Sequence, residues 1–245
     1  MSEADEVRRA FARQATRWQD THYRSWMPGN VFIYQEGERG WVELLRRNGF
    51  LPLGERKVLD VGCGPGKLLM RFLLLGGSPE NLVGIDLLRE EIEQARALAP
   101  HLDFRVGDAT DLPFDDASFD LALAFTMFTS MRSEETRRRA AHEIARVLKP
   151  GGALLWYDFW VNPGNREVQP LGIKDIRRLF PGSDIDRRRV TLAPPLARRL
   201  ASISWLGCSI LDALPFLRTH WLALVRPRRP MPPGEARKAN GETAS

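Results

Sequence analysis

Residues 58–69 read Val-Leu-Asp-Val-Gly-Cys-Gly-Pro-Gly-Lys-Leu-Leu: a short apolar run, three glycines at alternate positions, then a helical apolar pattern. A strand, a tight turn and a helix start follow from that order. Glycine carries no Cβ, so a ligand can lie against the bare backbone of Gly62, Gly64 and Gly66. A dinucleotide fingerprint needs glycine at the first, third and sixth positions. Here the third glycine arrives one position early, and Lys67 occupies the sixth. Asp60, inside the strand, would repel a pyrophosphate but can hold the ammonium of an amino acid. The chemistry that fits is recognition of a cationic, amino-acid-bearing ligand.

The stretch Asp60-Val-Gly62-Cys63-Gly64-Pro-Gly66 resembles the glycine-rich motif of class I S-adenosylmethionine-dependent methyltransferases. Four more segments resemble that family in its own order. Leu-Val-Gly-Ile-Asp86 is similar to its second strand, and Gly107-Asp108-Ala109 to the turn after the third. Residues 119–125 are similar to the fourth strand, and Val-Leu-Lys-Pro-Gly151-Gly152 to the turn into the fifth. The resemblance spans residues 50–160 and implies an α/β, Rossmann-like, doubly wound sheet of seven mainly parallel strands with an N-terminal helical cap. It also implies S-adenosyl-L-methionine as cofactor. Asp60, Gly62, Cys63 and Gly64 would then hold its amino-acid end, and Asp86 its ribose hydroxyls, with Leu87 beside the adenine. Asp108 would face the adenine amino group, with Ala109 nearby, and Phe125 and Thr126 would close the site at the end of the fourth strand.

Methyl transfer from a sulfonium is an in-line displacement, so the protein must chiefly align donor and acceptor and exclude water. Residues for the acceptor side are correspondingly fewer. His22, in the expected cap beside Tyr23, and Asp158, near the carboxyl end of the fifth strand, are the candidate proton acceptors. Side chains alternate along a strand, so Asp158 is expected to face the mouth if Tyr157 faces the core. Tyr23, Tyr34, Phe128 and Tyr157 are the candidates for substrate contact. His101 reads as solvated, His142 as partly buried on a helix and His220 as structural. No carboxylate triplet of the metal-dependent kind is evident, so no metal is expected.

The elements that must position these residues alternate. Strands at 58–61, 82–86, 102–106, 119–125 and 153–159 are separated by helices at 66–75, 89–99 and 133–148, which predicts a parallel sheet covered on both faces. Ligands bind beyond the carboxyl ends of such strands. Helices are expected at 4–19 and 31–47, a short helix at 172–180, a strand at 185–192, one long apolar helix at 195–214 and a last strand at 219–225. This gives a cap (1–50), a methyltransferase domain (51–226) and a disordered tail (227–245), the tail being nearly free of apolar residues.

The 245 residues carry a formal charge of +5, of which residues 226–245 hold +3, leaving a mildly basic body. Nucleic acid is therefore not an expected partner; a small-molecule, sugar or lipid-linked acceptor is. The arginine knots Arg137-Arg138-Arg139, Arg187-Arg188-Arg189 and Arg198-Arg199 read as solvated faces. The last two also leave room for weak peripheral contact with anionic lipid around residues 200–217. The acidic N-terminus and two unpaired cysteines, Cys63 and Cys208, suggest a cytoplasmic location. A methyltransferase acting on a hydroxyl is the leading expectation. A non-catalytic cofactor-binding module, a nucleic-acid methyltransferase and a nicotinamide dehydrogenase are the alternatives, and the oligomeric state stays open.

Overall fold

The computed structural model describes residues 24–161 and 169–228. Seven strands, β1 (Val58–Val61), β2 (Leu82–Asp86), β3 (Asp103–Val106), β4 (Phe119–Phe125), β5 (Leu148–Phe159), β6 (Asp184–Leu192) and β7 (Arg218–Arg226), form one sheet in the order β3-β2-β1-β4-β5-β7-β6. β7 runs antiparallel to β5 and β6, and the remaining pairs are parallel. The reversal of strand order between β1 and β4 opens a crevice beyond their carboxyl ends, where this architecture binds ligands. The expected seven-stranded, mainly parallel sheet is what forms, with the last strand inserted between β5 and β6.

Seven α-helices flank the sheet among the described residues: α1 (Pro28–Arg47), α2 (Lys67–Leu74), α3 (Arg89–Leu98), α4 (Glu134–Val147), α5 (Ile173–Leu179), α6 (Pro194–Leu200) and α7 (Trp205–Asp212). The inner strands β1, β2 and β4 are mostly apolar because both their faces are covered, whereas the edge strands β3 and β6 carry charged, exposed residues. On β1, Val58 packs with Trp41, Leu44, Leu69 and Phe72 on one face, while Leu59 and Val61 join Ile144, Val147 and Trp156 on the other. Along β4 the alternation repeats, with Leu121 and Leu123 on the first face and Ala122 and Ala124 on the second.

The described part of the N-terminal cap, α1, packs onto the core: Trp41, Leu44 and Leu45 are buried in it, and Trp41 stacks on Phe72 at 4.9 Å. Two expectations change. The single helix expected at 195–214 is two short ones, because the Ser204 hydroxyl accepts the Gly207 N–H (3.0 Å) and caps a new start. His142 is exposed rather than partly buried. Residues 4–19 and almost all of the expected tail lie outside the described residues.

Two glycines give opposite expectations for alanine. A Cβ on Gly84 of β2 would lie 2.7 Å from Phe104 and 2.9 Å from the Cys63 sulfur, whereas one on Gly37 of α1 meets nothing within 4 Å. In urea unfolding, Gly84→Ala should lose about 1–3 kcal/mol through overpacking. Gly37→Ala should gain roughly 0.5–1 kcal/mol from helix propensity.

Candidate functional site

A cleft of about 530 Å³ lies beyond the carboxyl ends of β1, β2 and β4. Its floor is the glycine turn between β1 and α2, which β2 holds in place: the Gly62 and Cys63 N–H groups donate to the Ile85 carbonyl at 2.8 and 3.1 Å. Asp86, at the end of β2, ties the turn from the side. One of its oxygens accepts the Gly64 N–H and the other the Leu88 N–H, both at 2.9 Å. Each carboxylate oxygen keeps a lone pair for a further donor.

Asp60 is the unusual group. It is only 2% exposed, yet no hydrogen bond reaches its carboxylate among the described residues, and it lines the cleft. Burial first, and then the nearby charge of Asp86, pushes its pKa up to about 8. Burial also raises Asp86 above the usual carboxylate range, opposed by the backbone N–H bonds it accepts. Glu91 is raised by burial and by Asp86, with Lys67 acting against them. The Cys63 thiol is pushed up mainly by burial and stays protonated. Four carboxylates (Asp60, Asp86, Glu91, Asp108) against two cations (Lys67, Arg139) line the cleft, so it favours a positively charged occupant.

The structure brings Asp60, Gly62, Cys63, Gly64, Asp86, Leu87, Asp108, Ala109, Phe125 and Thr126 together around this cleft. Other candidates lie elsewhere. Asp158 does not face the mouth. It is fully buried, accepting hydrogen bonds from the Thr129 hydroxyl and from Trp156 Nε1 (2.8 Å). The strand alternates as expected, but the Asp158 side of β5 is covered by the turn at Phe128–Ser130 rather than by solvent. Phe128 is fully buried and packs edge-on against Phe180 at 6.2 Å, so it is core and not substrate wall. Tyr34 is exposed on α1, away from the cleft lining. Tyr157 sits one layer behind, stacked on Phe125 (5.1 Å) and His220 (4.7 Å), its hydroxyl 2.8 Å from that of Thr191. Burial drives His220 down to about 3, so it is neutral at physiological pH. His22 and Tyr23 fall outside the described residues.

Sequence reasoning did not assign Ser130, Met131, Thr136, Arg139, Lys67 or Glu91 to the cleft they line. Thr136 and Arg139, three residues apart on α4, share the helix face turned to the cleft. The same helix buries Arg137, against the solvated reading of its arginine knot. Arg137 donates to the carbonyls of Phe128 (3.0 Å) and Met131 and to Gln169 Oε1 (2.7 Å).

Residues 58–152, the segment that builds this cleft, match the methyltransferase domain family. The chain carries a methyltransferase domain. Across 103 residues it is 40% identical to the O-methyltransferase resE of Aspergillus sclerotiorum, covering 40% of this chain and 37% of that protein. Across 119 residues it is 37% identical to the chloroplastic 2-phytyl-1,4-beta-naphthoquinone methyltransferase of Arabidopsis thaliana, covering 45% and 44%. The chain thus spans less than half the length of these two relatives. A SAM-dependent methyltransferase structure from Methanosarcina mazei superposes with a TM-score of 0.56 at 22% identity, covering 74% of this chain and 96% of that one, which shows the shared fold.

Asp60 ionises near 3.8 in an unfolded chain and at about 8 in the folded one, so its burial removes stability as pH rises through that window. Asp60→Asn should therefore melt higher than the parent at pH 8, by roughly 2–4 °C for each kcal/mol relieved. The two melting curves should converge towards pH 4. Scanning fluorimetry across this range checks it, and parallel curves at every pH would contradict the assignment.

Proposed function

We propose that this chain transfers the methyl group of S-adenosyl-L-methionine to a hydroxyl of a small-molecule, glycan or lipid-linked acceptor. The observation that carries the reading is the buried Asp60 carboxylate, unpartnered among the described residues and aimed into a cleft of net negative charge. An isolated buried carboxylate is costly unless something cationic meets it. The donor's ammonium and sulfonium are such groups, and its nucleoside suits the rest of the lining.

When bound, the donor supplies a methyl already activated on sulfur, so this chain's residues need only bind, orient and dry the site. Asp60 and the glycine turn take the amino-acid end. Asp86, with both oxygens fixed by backbone N–H groups, offers its remaining lone pairs to the ribose hydroxyls. Asp108, held in a turn by accepting the Thr110 N–H (2.8 Å), takes the adenine amino group, with Leu87 and Ala109 at its faces. Phe125, Thr126, Ser130 and Met131 border the side left for the acceptor. No histidine lines the cleft among the described residues; in this reading alignment carries the step, the acceptor oxygen taking the methyl, the donor sulfur keeping the electron pair of the broken S–C bond and the hydroxyl proton passing to water at the cleft mouth. The same feature favours one second reading, a module that binds the donor without transfer. The catalytic unit is residues 51–226 in this proposal, acting in the cytoplasm. Among the described residues no helix is long and apolar enough to cross a membrane.

Calorimetry and product release separate the two readings. Asp60→Asn and Asp86→Ala should each weaken donor binding by about tenfold or more, the loss of one hydrogen bond to a charged group. The parent should release demethylated donor with at least one acceptor in a hydroxyl panel. Tight binding with no release across the panel would favour the module.

A further inference from the structure

Between β6 and β7 the chain makes an excursion, residues 193–217, built from α6, α7 and the turn at Pro215–Leu217. β6 pairs with β7, which pairs with β5, each time antiparallel, so β6 runs with β5 and its end at Leu192 faces the edge where the cleft opens. The excursion is firmly seated on its inner side. Ala197, Ala201 and Cys208 pack with Phe32 and Leu192, and Trp205 meets Phe32 edge-on at 5.2 Å. Its junction with α1 is nearly backbone to backbone: a Cβ on Gly29 would lie 2.4 Å from the Arg198 Cα. Arg198 Nε also donates to Asn30 Oδ1 at 3.0 Å.

Among the described residues the outer side is apolar and exposed. Ile203 is 82% exposed, Leu206 71%, Phe216 69% and Ile210 59%, and Trp26, just before α1, is 66% exposed. Isolated exposed apolar residues are ordinary, but a group of this size concentrated on one excursion marks an interaction surface. Its charge says what it meets. The only acid in residues 193–217, Asp212, is buried against Arg218 (3.1 Å), leaving arginines alone, including the exposed Arg199, as the charged groups at the surface. The wider segment 184–228 has eight arginines and three aspartates, whereas residues 24–161 have 17 Lys+Arg and 20 Asp+Glu. Positive charge is therefore segregated onto the part of the fold that bears the apolar face.

We propose that the α6–α7 excursion docks on an anionic lipid surface, with Ile203, Leu206, Ile210, Phe216 and Trp26 entering the interface and Arg199 meeting headgroup phosphates. Bulky apolar and aromatic residues beside an exposed arginine, with no acid at the surface of the excursion, are the composition of a surface that lies in a bilayer interface. A protein partner for this face would have to present apolar residues ringed by acids, and a second copy of this chain would oppose like charges. Docking there puts the bilayer on the edge of the sheet at which the cleft opens, the side from which a lipid-borne acceptor of the proposed reaction would enter. Binding is measured without donor, so it succeeds or fails independently of methyl transfer.

The test is flotation of the full chain with phosphatidylcholine vesicles containing about one third phosphatidylglycerol. The parent should float with them, and much less with pure phosphatidylcholine or in high salt. Ile203→Glu/Leu206→Glu should lose at least tenfold in vesicle affinity, and Arg199→Glu several-fold, with melting temperatures unchanged because the altered side chains are exposed. Absence of vesicle binding, equal binding by the double variant, or equal binding to neutral vesicles would overturn the proposal. So would a solution mass of two chains that falls to one in the double variant, which would make the face a dimer interface.

Discussion

An almost fully buried carboxylate with no hydrogen-bond partner among the described residues is the constraint around which this site is arranged. Asp60 lies in the middle of a fully buried strand, flanked by Leu59 and Val61. An alanine or valine there would serve the core better, since a buried unpaired acid costs stability. The surrounding geometry makes sense as a way to keep that acid available. The strand stops one residue later, the glycine turn removes side chains from above it, and Asp86 spends its hydrogen bonds on Gly64 and Leu88 and none on Asp60. The charge of Asp86 adds to burial in raising the proton affinity of Asp60, and a cation meeting Asp60 relieves both.

The opposite wall is held from behind by buried polar groups. The turn after β4 carries Met127, Ser130 and Met131 into the cleft. Asp158 grips it through Thr129, Trp156 fixes Asp158, and Arg137 takes the carbonyls of Phe128 and Met131. Thr126, at φ +55, sits in a conformation that favours glycine, and its N–H donates to the Tyr157 carbonyl at 2.7 Å. A satisfied buried network of this kind rigidifies what it touches. Asp158 and Arg137 thus act on the cleft by supporting the backbone that lines it, without reaching it.

What was legible in the residues was what backbone spacing dictates. The strand limits at 58–61, 82–86 and 119–125 coincide with those observed, because a buried parallel strand is an uninterrupted apolar run bounded by turn residues. The cleft residues at strand ends followed, since every parallel strand delivers its last residues to one edge. What failed depended on which layer covers a given face. Alternation placed Asp158 opposite Tyr157, but only the packed structure shows that the turn at Phe128–Ser130 lies over it. Arg137 and Arg139 are neighbours of one composition, and one is buried while the other borders the cleft, a distinction set by helix rotation against the sheet. Likewise residues 195–214 are mainly apolar, and the break at Ser204 turns on one capping hydroxyl.

The central claim, that Asp60 waits protonated for a cationic nucleoside donor, is tested most directly by proton release. Titrating the chain with S-adenosylmethionine at pH 7 in two buffers of different ionisation enthalpy measures the protons exchanged on binding. Asp60, at about 8 before binding, should ionise when the ammonium arrives, giving net release towards one proton that disappears in Asp60→Asn. Binding with no buffer dependence, or release that survives Asp60→Asn, would contradict the account.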